Sequence, residues 1–291
     1  MINLLLPTRN NPQKAREFIQ NTIGNAVDQN NVRIIVGIDD DDDNTFAADL
    51  EYLPNVMTVV GPRQPTLGGL IDILHLAADD FSSPTDIVGW AADDVAFAPY
   101  WDEQTNLAFA NRPSGIYHPF MDVENTTRVT DFTYFPFMTI SFARNLRQIQ
   151  GFVCTDLFPS WFHDTWMDEI ADLIGFKRMM YWKVIQSTKQ SDNSGPPELR
   201  FWCDLFEATR PERIATATKL LGRAPSQAVI DAVEQKRRHH RDPEFATRWQ
   251  GSTIDARYLA AARRAKRHWS QLVDEWTPIP HPEPGPLLAH A

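Results

Sequence analysis

The chain has 291 residues, 43% of them hydrophobic and 23% charged, with a formal net charge of −10. It reads as a soluble globular protein, large enough for one α/β domain with an extension or for two small domains. No apolar run approaches the about 18 residues of a membrane-spanning helix. The opening MINLLLPTRNNP lacks the basic start and cleavage site of a signal peptide. Cys154 and Cys203 alone make neither a disulfide framework nor a zinc site, so a reducing, cytoplasmic setting is expected.

In chain order, Ile2–Pro7 is a short apolar run closed by a proline, and Pro12–Ala26 has helical periodicity. Val32–Ile38, Val56–Val60 and Asp86–Trp90 are short, continuous and rich in β-branched residues, the pattern of strands buried on both faces. A second helical pattern, Leu67–Ala78, lies between the last two. Strands alternating with helices predict an α/β fold with a mainly parallel sheet flanked by helices. Residues 100–111 read as a helix, and residues 113–150 mix aromatic and polar side chains, including the run Phe132–Phe142. Trp161–Gly175 contains a helix stopped by Gly175, and Ser187–Pro197 is a polar loop.

After Leu205 the texture changes. Pro211–Leu221, Ser226–His240 and Ser252–Trp276 read as three helices, and the tail alternates prolines from Pro278 to Pro286. The expected organisation is therefore a domain over 1–205, a basic helical extension over 206–276 and a Pro-rich tail over 277–291. Charge follows the same division. Residues 1–209 carry 29 acids against 14 bases, whereas residues 210–268 carry 14 bases against 6 acids. Such a basic segment either attracts a polyanion or packs against the acidic part of its own chain.

Ligands of open parallel sheets bind outside the carboxyl ends of the strands. Here each of the first four strands is followed by polar groups: Thr8 and Arg9, then Asp39 to Asp43, then Arg63, then Asp93 and Asp94. If the strands are neighbours, these groups meet on one rim and form a pocket.

These segments resemble a known family. PTRNNP, GIDDDDD, VVGPRQPTLGG and ADDVAFAPYWDE, in that order, are similar to nucleotide-sugar glycosyltransferases of the GT-A fold, most of all the family 2-like branch of bacteria and their phages. FPFMTISFARNLRQIQGF followed by WFHDTWMDEIADLIGF resembles the acceptor-side segment of that branch. The resemblance covers about residues 1–205. It implies a GT-A, Rossmann-like α/β domain that transfers a sugar, from a UDP-sugar by preference, to an acceptor hydroxyl.

The resemblance also assigns roles. Asp39, Asp40 and Asp41 would bind the donor nucleoside, with Asp42 and Asp43 left as a solvated turn. Pro7, Thr8, Arg9, Arg63, Gly68 and Asp93 are the expected lining of the donor site; by residue type, Arg9 and Arg63 either pair with phosphate or form surface ion pairs, and Gly68 either opens a helix N-terminus to phosphate or serves a turn. Asp93 and Asp94 would hold Mn²⁺ or Mg²⁺ on the diphosphate. The acids are adjacent rather than spaced, because positions 91 and 92 are alanines, and Gln186, Ser187 and Thr188 stand where the family often has a histidine. Asp164 matches the general base of inverting members, Asp168 lies one turn further along the same helix face, and Asp164 could instead cap that helix.

Acceptor contacts are expected from Trp161, His163 and Trp166. Trp90 and Trp101 are either stacking surfaces or core. In the basic segment, Arg237, Arg238, Arg241, Arg264 and Arg267, with Trp249 and Trp269 for stacking, could hold DNA whose hydroxymethylated base is the acceptor. A surface glycan, a lipid-linked sugar or a purely buttressing segment are the alternatives. Two other classes stay open. A nucleotidyl transferase would show glycines that PTRNNP lacks, and a sugar-nucleotide-binding module would have a decayed metal site.

Overall fold

A computed structural model of the chain describes residues 1–9, 11–42, 47, 49, 50, 52–123, 135–186, 196–248, 250, 251 and 256–272. An eight-stranded sheet runs through it in the order β3-β2-β1-β4-β7-β6-β8-β5. Its first half is β1 (Ile2–Pro7), β2 (Val32–Asp39), β3 (Val56–Gly61) and β4 (Ile87–Trp90). These four strands are parallel neighbours, with Leu4 opposite Ile34 and Gly89, and Ile34 opposite Val56.

The continuous apolar runs have a simple cause. Successive side chains of a strand point to opposite faces, and here both faces are covered. Leu5, Ile35, Val88 and Trp90 enter one core, whereas Leu4, Leu6, Ile34 and Val36 enter the other. Each such fully buried side chain contributes about 1.5–3 kcal/mol.

Helix α1 (Pro12–Gly24) follows β1, with proline in its first turn, where the missing N–H costs nothing. Helix α2 (Leu67–Asp80) follows β3 and is capped by Thr66, whose side chain accepts from Gly69 N. Helix α3 (Trp101–Asn111) lies where residues 100–111 predicted it.

The second half of the sheet is mixed rather than parallel. It comprises β5 (Val95–Phe97), β6 (Ile116–Val123), β7 (Phe137–Thr139) and β8 (Lys177–Gln186). β7 runs antiparallel to β4 and β6, β6 pairs parallel with β8, and β5 pairs antiparallel with β8. The β4–β7 pairing requires Gly89, because a Cβ there would lie 2.3 Å from the ring of Phe137. Helix α4 (Ile140–Gln150) starts directly from β7, and α5 (His163–Ile174) ends at Gly175 in the left-handed conformation (φ 69°), as its position predicted.

The remaining helices are α6 (Leu199–Ala208), α7 (Arg210–Leu221), α8 (Gln227–Lys236), α9 (Pro243–Arg248) and α10 (Ala256–Leu272). The expected helix Ser226–His240 thus stops at Lys236, and Arg238–Arg241 forms a short 3-10 turn. The position expected as the domain boundary, 205/206, falls inside α6. Trp202, Phe206, Ala217, Val233, Ala261 and Trp269 of the helical layer share one hydrophobic core with Leu5, Ile35 and Trp90 of the sheet. The Pro-rich tail 277–291, the loop 187–195 and Trp249 lie outside the described residues. No helix among the described residues is long and apolar enough to cross a membrane.

Candidate active site

The carboxyl ends of β1, β2, β3 and β4 lie side by side because the strands are adjacent, so the polar residues that follow them share one rim. Thr8 N donates to the Gly37 carbonyl at 3.1 Å, which leads the chain off β1 alongside β2. Thr8 Oγ1 donates to Asp93 Oδ2 at 2.9 Å, tying the end of β1 to the segment after β4. Pro7, half-buried, is the last residue of β1.

Arg9 joins two acids. Its Nη1 donates to Asp39 Oδ2 and Asp41 Oδ1, both at 2.6 Å, and its Nη2 donates to Asp41 Oδ2 at 3.0 Å. The hydrogen bond from Arg9, and the charges of Arg9 and Arg63, hold the Asp41 carboxyl below the usual carboxylate range. The backbone N–H of Asp40 is spent on the Gly61 carbonyl of β3 at 2.8 Å, and Asp40, like Asp41, is exposed. Asp42, expected as part of a solvated turn, is buried (7% exposed), and its N–H bonds to the Asp39 carbonyl at 3.0 Å. Asp43 lies outside the described residues.

Asp93 and Asp94 are half-buried. Burial pushes the Asp93 carboxyl up, and the neighbouring Asp94 adds to the shift; the Thr8 hydroxyl and Lys14 oppose it. Lys14, in the first turn of α1, is a cation of this rim that the sequence reading did not single out. A helix opening two residues after PTRN is the signal that could have placed it there. Among the described residues no three His, Cys, Asp or Glu side chains cluster as metal ligands. Asp93 and Asp94 form a two-carboxylate set of hard oxygen donors.

Gly68 does not serve as expected. A Cβ on it would lie 1.9 Å from the Thr155 carbonyl oxygen, and Leu67 N donates to the Pro159 carbonyl at 3.1 Å. The segment after α4 crosses the first turn of α2 and takes the space and the N–H group that a phosphate would use. Glycine is needed there for packing.

On the acceptor side, Asp164 is the second residue of α5 and is half-buried. It is not the cap of that helix, a position held by Phe162, and its Oδ1 accepts from its neighbour Thr165, from N at 2.7 Å and Oγ1 at 3.3 Å. His163 is buried, and its ring centroid lies 5.9 Å from that of Trp90, the last residue of β4. Asp164 and Asp93 therefore leave from the two ends of one contact, one residue after His163 and three after Trp90. Trp161 is half-buried, its ring 6.5 Å from that of Phe162.

Several expected site residues are structural instead. Asp168 is 1% exposed and is neutralised by Lys177 (2.5 Å), Lys236 (2.8 Å) and Arg237. Burial pushes its carboxyl up, but these charges, with His118, outweigh burial and hold it well below the usual range. It cannot meet an acceptor there. Arg237, 3% exposed, is its partner rather than an acceptor contact. Trp166 is 2% exposed with the Arg213 guanidinium 4.8 Å from its ring, Trp101 is fully buried, and Trp269 is buried against Phe201. Arg264 pairs with Asp156 at 2.6 Å and Arg241 with Glu207 at 3.4 Å. Arg238 and Arg267 are exposed. His75, missed in the sequence, is fully enclosed beside Trp90. The signal for it was a lone histidine within the apolar helix LGGLIDILHLAA.

No protein-family profile matches the chain, and no curated protein matches it by sequence. Solved structures do match in shape. Residues 1–349 of S. aureus TarS in complex with UDP superpose with a TM-score of 0.52 at 10% identity, over 93% of this chain and 89% of that one. The same protein in complex with UDP-GlcNAc gives 0.51 at 12% identity, over 93% and 90%. GalNAc-T7 with UDP, GalNAc and Mn²⁺ gives 0.55 at 10% identity, over 86% of this chain and 58% of that chain, which this one therefore spans only in part. The fold is GT-A. At this identity the likeness is one of architecture, and the GT-A sheet, parallel in its first half and mixed in its second, is the α/β class the sequence predicted.

Proposed function

We propose that the protein is a glycosyltransferase that moves a sugar from a nucleoside-diphosphate sugar, a UDP-sugar by preference, to an acceptor hydroxyl. One observation carries the reading. Thr8, Arg9, Asp39, Asp40, Asp41, Arg63, Asp93 and Asp94 share the carboxyl rim of four adjacent parallel strands, and the helix bearing Asp164 abuts it through His163 and Trp90. The solved TarS and GalNAc-T7 structures, which carry UDP or UDP-GlcNAc, support the donor class.

In this reading the exposed Asp40 accepts hydrogen bonds from the nucleoside. Arg9 fixes Asp39 and Asp41 around it, and Arg63 sets positive charge toward the diphosphate. Asp93 and Asp94 would hold a divalent cation. Their donor set fits Mg²⁺ or Mn²⁺, which bind through one or two carboxylates and complete their shell with substrate phosphates and water. When bound, such an ion offsets the charge growing on the leaving diphosphate, and the GalNAc-T7 structure contains Mn²⁺. Asp164 is the general base of an inverting transfer. As the acceptor oxygen forms its bond to the anomeric carbon, the bond from that carbon to the diphosphate breaks, and the hydroxyl proton passes to the Asp164 carboxylate. Trp161 flanks the acceptor.

For the acceptor we keep a hydroxyl of a surface glycan or lipid-linked sugar. A DNA acceptor gains no support, because Arg237, Arg241 and Arg264 of the basic segment are paired with acids of the same chain. The setting is cytoplasmic, in keeping with two buried free thiols. A binding module without turnover is the second reading, favoured by the two-carboxylate metal set with no third protein ligand among the described residues.

The test is a thermal-shift screen of UDP-GlcNAc, UDP-GalNAc, UDP-glucose, GDP-mannose and dTDP-glucose with and without Mn²⁺, followed by UDP release. A specific donor at 100 times its Kd stabilises the fold by about 2.7 kcal/mol. Donor binding with release of UDP confirms the transferase. Donor binding with no release from any acceptor pool makes it a module, and no donor binding at all rejects both.

A further inference from the structure

The interior beneath the rim holds three polar rings where packing alone would call for apolar ones. His75 of α2 and Trp90 of β4 are each 3% exposed, and His163 of α5 is 7% exposed. Trp90 Nε1 donates to His75 Nε2 at 2.7 Å, with the rings crossing at 73°. The same indole meets the His163 ring at 5.9 Å with a tilt of 38°. Among the described residues, Nδ1 of His75 and Nδ1 of His163 are both buried without a hydrogen-bond partner, a cost that phenylalanine at either position would not carry. Burial depresses both imidazoles, His75 to about 3, so near neutral pH the His75 ring is uncharged and its Nε2 is an acceptor.

The backbone beside these rings is constrained as well. Phe162 has φ 71°, a left-handed conformation that a bulky residue adopts only when its surroundings impose it. Its ring stacks on Phe206 at 5.3 Å and meets His240 at 5.4 Å, both from the C-terminal helical layer. Phe162 is thus gripped by that layer and His163 by the sheet, and Asp164 follows at once. Breaches of ordinary packing rules concentrate where function demands them.

We propose that His75 and Trp90 are positioning residues for Asp164: the hydrogen bond between them fixes the indole on which His163 rests, and so sets where the Asp164 carboxylate stands relative to the end of β4. The proposal rests on the reading of Asp164 as the base.

The experiment uses Trp90→Phe, which keeps a ring and removes the donor, His75→Phe, which keeps a ring and removes the acceptor, and His75→Gln, which restores an acceptor. UDP release from UDP-GlcNAc, with water or bacterial surface glycan as acceptor, is measured together with donor-binding stoichiometry by calorimetry. The two phenylalanine variants should each lower kcat about 10- to 100-fold, with donor KM and stoichiometry unchanged. The double variant should be no slower than either single one, since both remove the same bond, and His75→Gln should recover most of the rate. If His75→Phe does not fold, Trp90→Phe and His75→Gln carry the same comparison. Stoichiometry falling in step with kcat overturns the proposal, as do additive losses or unchanged rates. Asp164→Asn separates the two ideas. If it is inactive while Trp90→Phe is fully active, only the positioning role is lost. If it is fully active, or if the wild type releases no UDP from any donor, the base reading falls and the positioning role with it.

Discussion

The carboxyl rim and the C-terminal helical layer are both crowded with charge, and they use it in opposite ways. At the rim, Asp40 is exposed, Asp93 and Asp94 are half-buried, and Arg9 holds its acids at a partly open surface. In the helical layer the charges face inward. Glu169 and Arg213 are fully buried and paired at 2.8 Å, Arg210 joins Glu169 and Glu207, and Asp168 is shared by Lys177, Lys236 and Arg237. The helical layer therefore spends part of its positive charge on acids packed against it, while Arg238, Arg263, Lys266 and Arg267 stay exposed. A charge is available to a ligand only when no residue of its own chain has already taken it, and local sequence does not record that.

The sharpest way to break this comparison is at the two aspartates of α5, one turn apart. Asp164→Asn should lower turnover about 10²–10⁴-fold and leave donor affinity intact, read by UDP release beside calorimetry; full turnover would remove Asp164 from the chemistry. Asp168→Asn should do the reverse. It leaves three cations facing an uncharged group and should cost about 3–5 kcal/mol in urea unfolding, with the rate per folded molecule retained. A slow but fully stable Asp168→Asn protein would instead bring Asp168 into the reaction.

Acid should reveal the buried titratable groups in two stages. The folded-state pKa of His75 is depressed by burial from 6.5 to about 3, so its contribution to stability is present above pH 6.5 and is lost as pH falls from there toward 3. Glu207 is raised by burial but held down to about 2 by the His240 hydrogen bond and Arg210; its contribution is present above about pH 4.5 and is lost toward 2. Burial keeps His240 itself below its ordinary range, so at neutral pH its 3.2 Å contact with Glu207 is a hydrogen bond rather than an ion pair. Urea midpoints should therefore fall first below pH 6.5 and again below pH 4.5, and His75→Gln should make the first fall shallower. A flat profile from pH 7 to 5 would contradict the buried histidine assignment.

The smallest effect is expected at exposed bases of α10. Arg263→Ala and Lys266→Ala should each change stability by less than about 0.5 kcal/mol and leave duplex DNA retention at low salt unaltered. A measurable loss of retention would return the polyanion reading to the helical layer.

Much of the architecture was legible because it depends on local pattern. Continuous apolar runs marked β1 to β4, Gly175 marked the end of α5, and the order of acids after strands marked the rim, since strand adjacency puts strand ends together. Three things lay beyond the sequence. The antiparallel insertion of β7 depends on a three-residue strand finding a glycine across from Phe137. The assignment of Gly68 depends on a segment some 87 residues away crossing its helix. The division between Asp164 and Asp168 depends on which carboxylate meets Lys236 and Arg237, about 70 residues downstream. Residue type and spacing determine which groups can ionise, cap or coordinate. Which of them are already desolvated and neutralised is decided by long-range packing, because burial and partner charge are properties of the folded surroundings.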